Sequence, residues 1–377
     1  MKIVVVGGGA AGFFAAIHAK KRYPQASVTL YEKTRKLLSK VRISGGGRCN
    51  VTHACFDPKQ LVANYPRGAK ELLGPFHRFQ PKDTMEWFSE RGVALKIEED
   101  GRVFPVTDSS ETIIEALIQE AEKEKVEIIL GSSFDIQHHA VDRLILATGS
   151  AKEGLLMARS MGHTIQEQVP SLFTFNIPQF SLESLSGISF DKVHLRLEGS
   201  NLQQEGPLLI THWGFSGPAC LKLSAFGARF LAEKKYETGL IIDWLPDFSI
   251  DQIVQMILQE APSKKLKNIS SIPLPKRAWE LLSSYPEEII ARLSKKRVYE
   301  LCQKLKSDRY QIQGKTTHKE EFVTCGGITL SEVDFKTMES KIRPGLYFCG
   351  EILDIDGVTG GFNLQNAWTT GWIAGNA

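Results

Sequence analysis

Met1-Lys2-Ile3-Val4-Val5-Val6-Gly7-Gly8-Gly9-Ala10-Ala11-Gly12 is the stretch that decides the fold. Its apolar residues have the length of a buried strand, and its glycines mark a tight turn. The run from Ala10 to Arg22 is helical, with apolar residues on more than one face, as in a helix packed against a sheet. A second apolar strand covers 27–31 and ends at Glu32, twenty residues after Gly12. Strand, glycine turn, helix, strand and acid in this order make a dinucleotide-binding unit. At the far end, Gly345-Leu346-Tyr347-Phe348-Cys349-Gly350-Glu351 leads into Gly360-Gly361-Phe362-Asn363-Leu364-Gln365 and a last helix. A dinucleotide site assembled from both ends of a 377-residue chain implies FAD rather than NAD.

Each residue of the first motif has a physical task. Gly7 permits the turn, Gly9 lets backbone approach a pyrophosphate, and Gly12 lets helix and strand pack closely. The pyrophosphate sits on free N–H groups at the positive end of the helix dipole. Glu32 suits a bare ribose 2′-OH and would repel a 2′-phosphate.

Composition sets looser limits. The length implies two or three domains, since one core rarely grows past about 250–300 residues. Hydrophobic residues at 42% and charged residues at 24% are ordinary for a soluble chain. A net charge of +3 does not by itself argue for nucleic acid. The six cysteines (Cys49, Cys55, Cys220, Cys302, Cys325, Cys349) lack both metal-ligand pairing and disulfide density, which suits a reducing cytosol. The apolar start belongs to the glycine pattern rather than to a signal peptide, and no stretch has the length of a membrane span. The expected location is cytoplasmic; the oligomeric state is not legible.

The pattern changes along the chain. Residues 1 to about 150 alternate strands and helices, including a helix over 111–125 and a strand at Leu144-Ile145-Leu146-Ala147-Thr148-Gly149, where Gly149 returns the chain to the glycine turn. From 165 to 246 short alternating segments predict antiparallel strands. From 247 to 310 helices are predicted over 250–260, 275–283, 286–293 and 298–305, separated by prolines. This stretch carries 12 Lys/Arg against 8 Asp/Glu, so the chain's positive excess lies here.

Two further motifs stand out. Ser44-Gly45-Gly46-Gly47-Arg48-Cys49-Asn50-Val51-Thr52 holds three consecutive glycines, whose entropic cost a flat ligand against the backbone would offset. Arg48 could meet a phosphate or a carboxylate. Thr211-His212-Trp213-Gly214-Phe215-Ser216-Gly217-Pro218-Ala219 fixes a turn ahead of a helix over 219–230, and His212 is a candidate acid/base or substrate anchor.

With these motifs in hand, the chain resembles the bacterial NAD(P)/FAD-dependent oxidoreductases of the aminoacetone oxidase/BaiN type. The resemblance runs nearly end to end. It is strongest over 43–52, Gly101-Arg102-Val103-Phe104-Pro105-Val106, 211–219, Thr324-Cys325-Gly326-Gly327-Ile328 and 345–363. It implies an α/β fold: a glutathione-reductase-like FAD-binding Rossmann domain (1–165 and 338–377), an inserted β-rich domain (166–246 and 311–337) and a helical insert (247–310). It implies that Gly7, Gly9, Gly12 and Glu32 hold the adenosine diphosphate half of FAD. Lys40, Ser44, Gly45, Gly46, Gly47, Arg48 and Asn50 would line the flavin side. Gly350, Glu351 and Asp354 would meet the ribityl and pyrophosphate region, and Gly360, Gly361 and Asn363 the pyrimidine edge. Ala11, Lys33, Cys49, Gly149 and Phe362 complete the candidate cofactor contacts. The chain departs from the family in a short loop after Gly149, a short excursion over 130–143, and an end close behind the last helix.

A second G-x-G-x-x-G is absent, so NAD(P)H would visit the flavin transiently. The five residues between Cys49 and Cys55 do not match a disulfide-reductase pair. The expected activity is FAD-dependent hydride transfer to or from an unidentified substrate, in the oxidase or reductase direction. One alternative is reduction of a C=C bond in RNA, forming dihydrouridine in ribosomal RNA, which would use the basic stretch. Another is flavin binding without turnover. No metal site and no Ser/His/Asp arrangement is legible.

Overall fold

Ile3, Val4 and Val5 are buried at the centre of a parallel sheet because strands cover both of their edges and helices their faces. In a computed structural model describing residues 1–135, 140–316 and 323–377, the chain divides into two units. One is Met1–Ser171 with Lys319–Ala377 and the other is Leu172–His318.

The first unit holds the sheet Val333–Asp334, Glu339–Ser340, Leu346–Phe348, Arg143–Leu146, Lys2–Val6, Ser27–Glu32, Glu127–Leu130, in that order. The last five strands are mutually parallel, and the first two extend them antiparallel. Strand order reverses beside Lys2–Val6. Its successor Ser27–Glu32 lies on one side and the later Arg143–Leu146 on the other, which is where open α/β sheets bind ligands. Leu346–Phe348 joins next to Arg143–Leu146, so sheet order brings the C-terminal motif to the N-terminal one.

The first helix, Ala10–Arg22, packs in parallel on the last, Phe362–Asn376. A Cβ on Gly371 would lie 2.6 Å from the Ala11 carbonyl oxygen, and one on Gly375 would lie 2.5 Å from that of Ala15. Matching contacts are therefore 360 positions apart, and the last helix begins about two turns, roughly 12 Å, ahead of the first. Small residues on both helices permit this backbone contact.

His18 sits in that interface among Phe14, Trp87 and Trp372. Burial, helped by Lys21 and Arg91, lowers its pKa to about 3. An unfolded histidine titrates near 6.5. Between the two values the unfolded chain binds the extra proton, so His18 favours folding fully above about pH 6.5 and progressively less towards pH 3. The difference in unfolding free energy between pH 7 and pH 4.5 is expected to shrink by about 2–3 kcal/mol in His18→Phe. Equal urea-unfolding differences for the two proteins would refute the assignment.

In the second unit the antiparallel sheet runs Asp308–Gln313, Glu237–Asp243, Ser189–Leu197, Gln203–Thr211, Gly214–Ser216, Thr174–Asn176, Lys315–Thr316. Its two end strands are one stretch of chain, bent at Gly314 (φ 90°), so the sheet curls round and brings its ends together at that bend. Helices Pro218–Phe226, Ala228–Glu233, Ile250–Leu258, Lys276–Leu282 and Lys295–Lys306 belong to this unit. Trp244 of the sheet region and Trp279 and Leu301 of the helices share a single hydrophobic core.

Several boundaries differ from the sequence expectations. The helix expected over 219–230 breaks at Gly227, where the chain passes close to Leu197 and Leu202. The stretch 286–293 is a 3-10 turn, Ile290–Arg292, rather than a helix. Its backbone bonds instead to 262–267: Leu266 N–H donates to Glu288 O, Lys267 N–H to Pro286 O and Ala291 N–H to Pro262 O. Val323–Ile328 pairs with Ile165–Ser171, and Val333–Asp334 belongs to the first sheet. Residues 323–337 and 166–171 thus fall in the first unit, not in the β-rich domain. Residues 136–139 of the short excursion, and 317–322 of the segment 311–337, lie outside the described residues.

Candidate functional site

At the end of Lys2–Val6 the glycines are fixed by backbone contacts. Gly7 (φ 115°) donates its N–H to Tyr31 O at 2.8 Å, and a Cβ there would lie 2.4 Å from Ala147 O. A Cβ on Gly12 would stand 1.9 Å from Gly7 O. Gly9 has nothing within 4 Å of its Cβ position, so its face is open. Gly9 caps the first helix without a side-chain hydrogen bond, and the first turn holds no acid. Among the described residues the N–H groups of Ala10, Ala11 and Gly12 have no acceptor, as expected of a free helix start.

Glu32 closes one side of this cradle. Its Oε2 accepts from Gly8 N–H at 2.8 Å, and its Oε1 accepts from the N–H and hydroxyl of Thr34 at 2.8 Å each. Lys33 turns away to an exposed pair with Glu153.

On the other side, Lys40 pairs with Glu351 and donates to Ser150 Oγ at 3.2 Å. Glu351 also accepts from Thr324 N–H at 3.3 Å, and a Cβ on Gly149 (φ 60°) would come within 3.7 Å of it. Lys40, Gly149 and Glu351 are therefore brought together. Ser150 and Thr324 join them, and neither was among the candidate cofactor contacts. Gly350 donates its N–H to Thr370 Oγ1 at 2.8 Å and presses against Ala11. Half-buried Asp354 is held by its own N–H to Ile328 O at 3.1 Å.

The glycine triplet Gly45, Gly46, Gly47 is a left-handed turn (φ 59°, 68°, 86°) following the short helix Ser39–Ile43, where Ser44 Oγ donates to Val41 O. Gly46 and Gly47 have open Cβ positions, whereas one on Gly45 would meet Asn50 and Phe104. Arg48 goes elsewhere. It lies 3.9 Å over the Phe104 ring and pairs with Glu98 at 2.7 Å and Asp108 at 3.4 Å, so its carboxylate partners come from the chain. Cys49 is buried, and desolvation pushes its thiol up to about 12; burial also raises Cys55. Both are thiols at neutral pH, unsuited to thiol–disulfide chemistry.

The last helix starts against this turn. With its amide oxygen turned to Gly361, Asn50 accepts that N–H at 3.0 Å and donates to Thr52 O at 2.9 Å. A Cβ on Gly361 (φ 92°) would lie 2.6 Å from the Thr52 carbonyl, and Thr52 Oγ1 donates to Gln365 at 2.5 Å. Asn363 faces the preceding loop, bonding both N–H and C=O of Gly357 at 2.8 and 2.9 Å. Phe362 stacks on His53, with centroids 4.8 Å apart and planes 19° from parallel. A Cβ on Gly360 (φ 123°) would lie 3.0 Å from the edge of Phe362 and 3.5 Å from that of His53. Among the described residues the N–H groups of Phe362, Asn363 and Leu364 have no acceptor.

Two parallel helices thus present free N–H groups about 12 Å apart along their axes, with open glycine faces at Gly9, Gly46 and Gly47. That arrangement fits a long dianionic cofactor with an electron-accepting ring at one end. Gly7, Gly9, Ala11 and Gly12 would hold the pyrophosphate. The turn 44–50 and the start of the last helix would hold the ring.

Three other arrangements differ in kind. His212, in the second unit, is exposed in the turn between Gln203–Thr211 and Gly214–Ser216 and has no hydrogen-bond or ion-pair partner among the described residues. A Ser340–His163–Glu332 chain exists, contrary to the sequence reading: His163 Nε2 lies 2.9 Å from Ser340 Oγ and Nδ1 lies 3.1 Å from Glu332. Ser340 Oγ is buried and already accepts from the N–H groups of Ile342 and Arg343, so the chain is a strut for the sheet extension. Among the described residues no cluster of metal ligands occurs, and no helix is long and apolar enough to cross a membrane.

The match to a family described as HI0933-like protein Rossmann domain spans residues 1–377, and the chain belongs to that family. It is an FAD-dependent oxidoreductase. It is 30% identical to the 3-dehydro-bile acid delta(4,6)-reductase of Clostridium scindens, over 100% of this chain and 98% of the relative. It is also 30% identical to the ribosomal RNA dihydrouridine synthases of Haemophilus influenzae and Escherichia coli, over 98% of this chain and 96% of each relative.

Proposed function

We propose that the chain reduces a carbon–carbon double bond conjugated to a carbonyl group. One observation carries this reading: relatives of equal identity are named for a steroid reduction and for dihydrouridine formation, and both reactions saturate such a bond. When bound, FAD in its reduced form would supply the hydride for one carbon, with a proton completing the other. The chain's own residues bind and orient the cofactor, with Gly7, Gly9 and Gly12 at the pyrophosphate and Glu32 at the ribose. Lys40 and Glu351 pair beside Gly149, on the side of the cradle opposite Glu32. NAD(P)H serves as the transient two-electron donor, since the sequence has one dinucleotide glycine motif. Anaerobic NADPH or NADH should bleach the purified yellow protein. A 4-ene-3-ketosteroid or a uridine-containing RNA should then restore the colour without oxygen. Reoxidation by neither compound, with rapid reoxidation by oxygen, would replace this reading with that of an oxidase.

RNA as substrate is favoured by the charges of the second unit. Lys264, Lys265, Lys267 and Arg297 are paired with Glu260, Glu287 and Glu288. Lys276, Arg292 and Lys295 are exposed and have no acidic partner among the described residues. Reversing these three to glutamate should weaken RNA binding and flatten its salt dependence, leaving the flavin spectrum unchanged. Salt-independent binding would leave the small enone as substrate.

A further inference from the structure

We infer that a cleft in the second unit is a guanine pocket, in which Asp308 Oδ1 accepts from the N1–H and the 2-amino group of a guanosine nucleotide. That the nucleotide belongs to RNA rests on the reading of RNA as substrate; the chemistry of the pocket does not. The cleft has a volume of about 410 Å³, within the range of small-molecule sites, roughly 300–1,000 Å³. The start of strand Asp308–Gln313 lines it, together with the loop 177–182 and the ends of helices Lys276–Leu282 and Lys295–Lys306.

Asp308 keeps 8% of its surface exposed, and no cation pairs with it among the described residues. Its Oδ2 accepts from Trp244 Nε1 at 3.0 Å and from the Tyr310 hydroxyl at 2.6 Å. Burial and the neighbouring carboxylate push the Tyr310 phenol up, so it stays a donor. Edge-on contacts with Phe180, Phe215 and Trp244 fix the Tyr310 ring. Oδ1 has no hydrogen-bond partner among the described residues. Two neutral donors on one oxygen would be served equally by an amide, without burying a charge. The charge is useful at the oxygen left over.

The rest of the cleft suits a nucleotide. Ile177, Leu182 and the exposed Leu281 give apolar wall for the faces of a base. Arg309 pairs with Glu198, but Lys304 donates only to Ser284 Oγ, at 3.2 Å, and has no acidic partner among the described residues, so it suits the phosphate. A lone carboxylate oxygen selects by the edge of the base. Guanine carries N1–H beside a 2-amino group, two donors with no acceptor between them. Adenine and cytosine set a ring-nitrogen acceptor beside the amino group, and uracil sets its N–H between two carbonyls. Each of these brings an acceptor against the carboxylate. The pocket therefore takes a base other than the one that is reduced.

Holoprotein is titrated by calorimetry with the 5′-monophosphates of guanosine, inosine, adenosine, cytidine, uridine and xanthosine, for wild type and Asp308→Asn. Wild type should bind GMP about tenfold or more tightly than the inosine nucleotide, which lacks only the 2-amino group, and than those of adenosine, cytidine and uridine. In Asp308→Asn the amide oxygen can serve Trp244 and Tyr310 while its NH₂ faces the cleft. GMP should then weaken by about tenfold or more, and the xanthosine nucleotide, with a carbonyl in place of the 2-amino group, should overtake it. Absent GMP binding, or equal constants for GMP and the inosine nucleotide, overturns the inference in wild type alone, whether or not the variant folds. Folded Asp308→Asn with wild-type affinity for GMP overturns it as well. Either result leaves the RNA reading standing if a labelled uridine dodecamer still binds. The same dodecamer with one central guanosine distinguishes RNA from free nucleotide. Tighter binding than the all-uridine form, reversed by GMP, places the guanosine in RNA. GMP binding that depends on Asp308, without that preference, supports the pocket as a free-nucleotide site and overturns its part in reading RNA.

Discussion

Gly12→Ala should purify as colourless protein, with less than about a tenth of the wild-type flavin absorbance per chain. The single added carbon would stand 1.9 Å from the Gly7 carbonyl oxygen, and that contact is with backbone. Gly7 has little room to retreat, because it packs on Ala147, just past the neighbouring strand, where even a Cβ would lie 2.4 Å from the carbonyl oxygen. The helix must therefore lift from the strand and carry its free N–H groups away from the pyrophosphate position. Overpacking of this kind typically costs about 1–3 kcal/mol, and more where neither side yields. Gly9→Ala separates binding from folding: its Cβ points into open space, so the protein should melt normally and still bind FAD more weakly. Absorbance ratios and thermal melts of both variants check this. A stoichiometric, yellow Gly12→Ala protein would remove the glycine turn from the cofactor site.

The glycine turn was legible because its constraints are local: strand, turn, helix and acid lie within 32 residues, and each glycine answers to its immediate neighbours. The C-terminal motif was legible for a related reason, since Leu346–Phe348 is a short apolar strand flanked by glycines, and sheet order does the rest. Features that depend on distant pairing were not legible. Arg48 invites a ligand phosphate when read alone, yet Glu98 and Asp108 reach it from loops 50 and 60 residues on. The helix expected over 286–293 has a fair local pattern, but its backbone groups are taken by 262–267. The curl of the second sheet turns on Gly314, an unremarkable glycine in the sequence. His53 lies one residue past the glycine-rich motif, and its stacking on Phe362, 309 positions away, is not legible there.

Removing the Arg67 side chain should be the most damaging charge change in the first unit. Asp356 is fully buried in the loop that leads to Gly360 and Gly361, and Arg67 grips both of its carboxylate oxygens while Ser171 Oγ donates at 2.7 Å. Burial pushes this carboxyl up, and Arg67 pulls it back. Arg67→Met leaves the charge with one neutral donor, a loss of about 3–5 kcal/mol for a broken buried pair. Without Arg67 the folded protein holds Asp356 protonated, whereas the unfolded chain releases that proton above about pH 4. The deficit should therefore grow as pH rises from 5 to 7. The same loop carries Gly357, which Asn363 clamps to the start of the last helix, so FAD affinity should fall together with stability. Adding Asp356→Asn removes the stranded charge and should recover more than half of the lost stability. Urea unfolding at pH 5 and 7, with FAD titration of each variant, provides the check. A loss below about 1 kcal/mol in Arg67→Met, unchanged between the two pH values, would mean that water reaches Asp356 and that the pair does not set the loop.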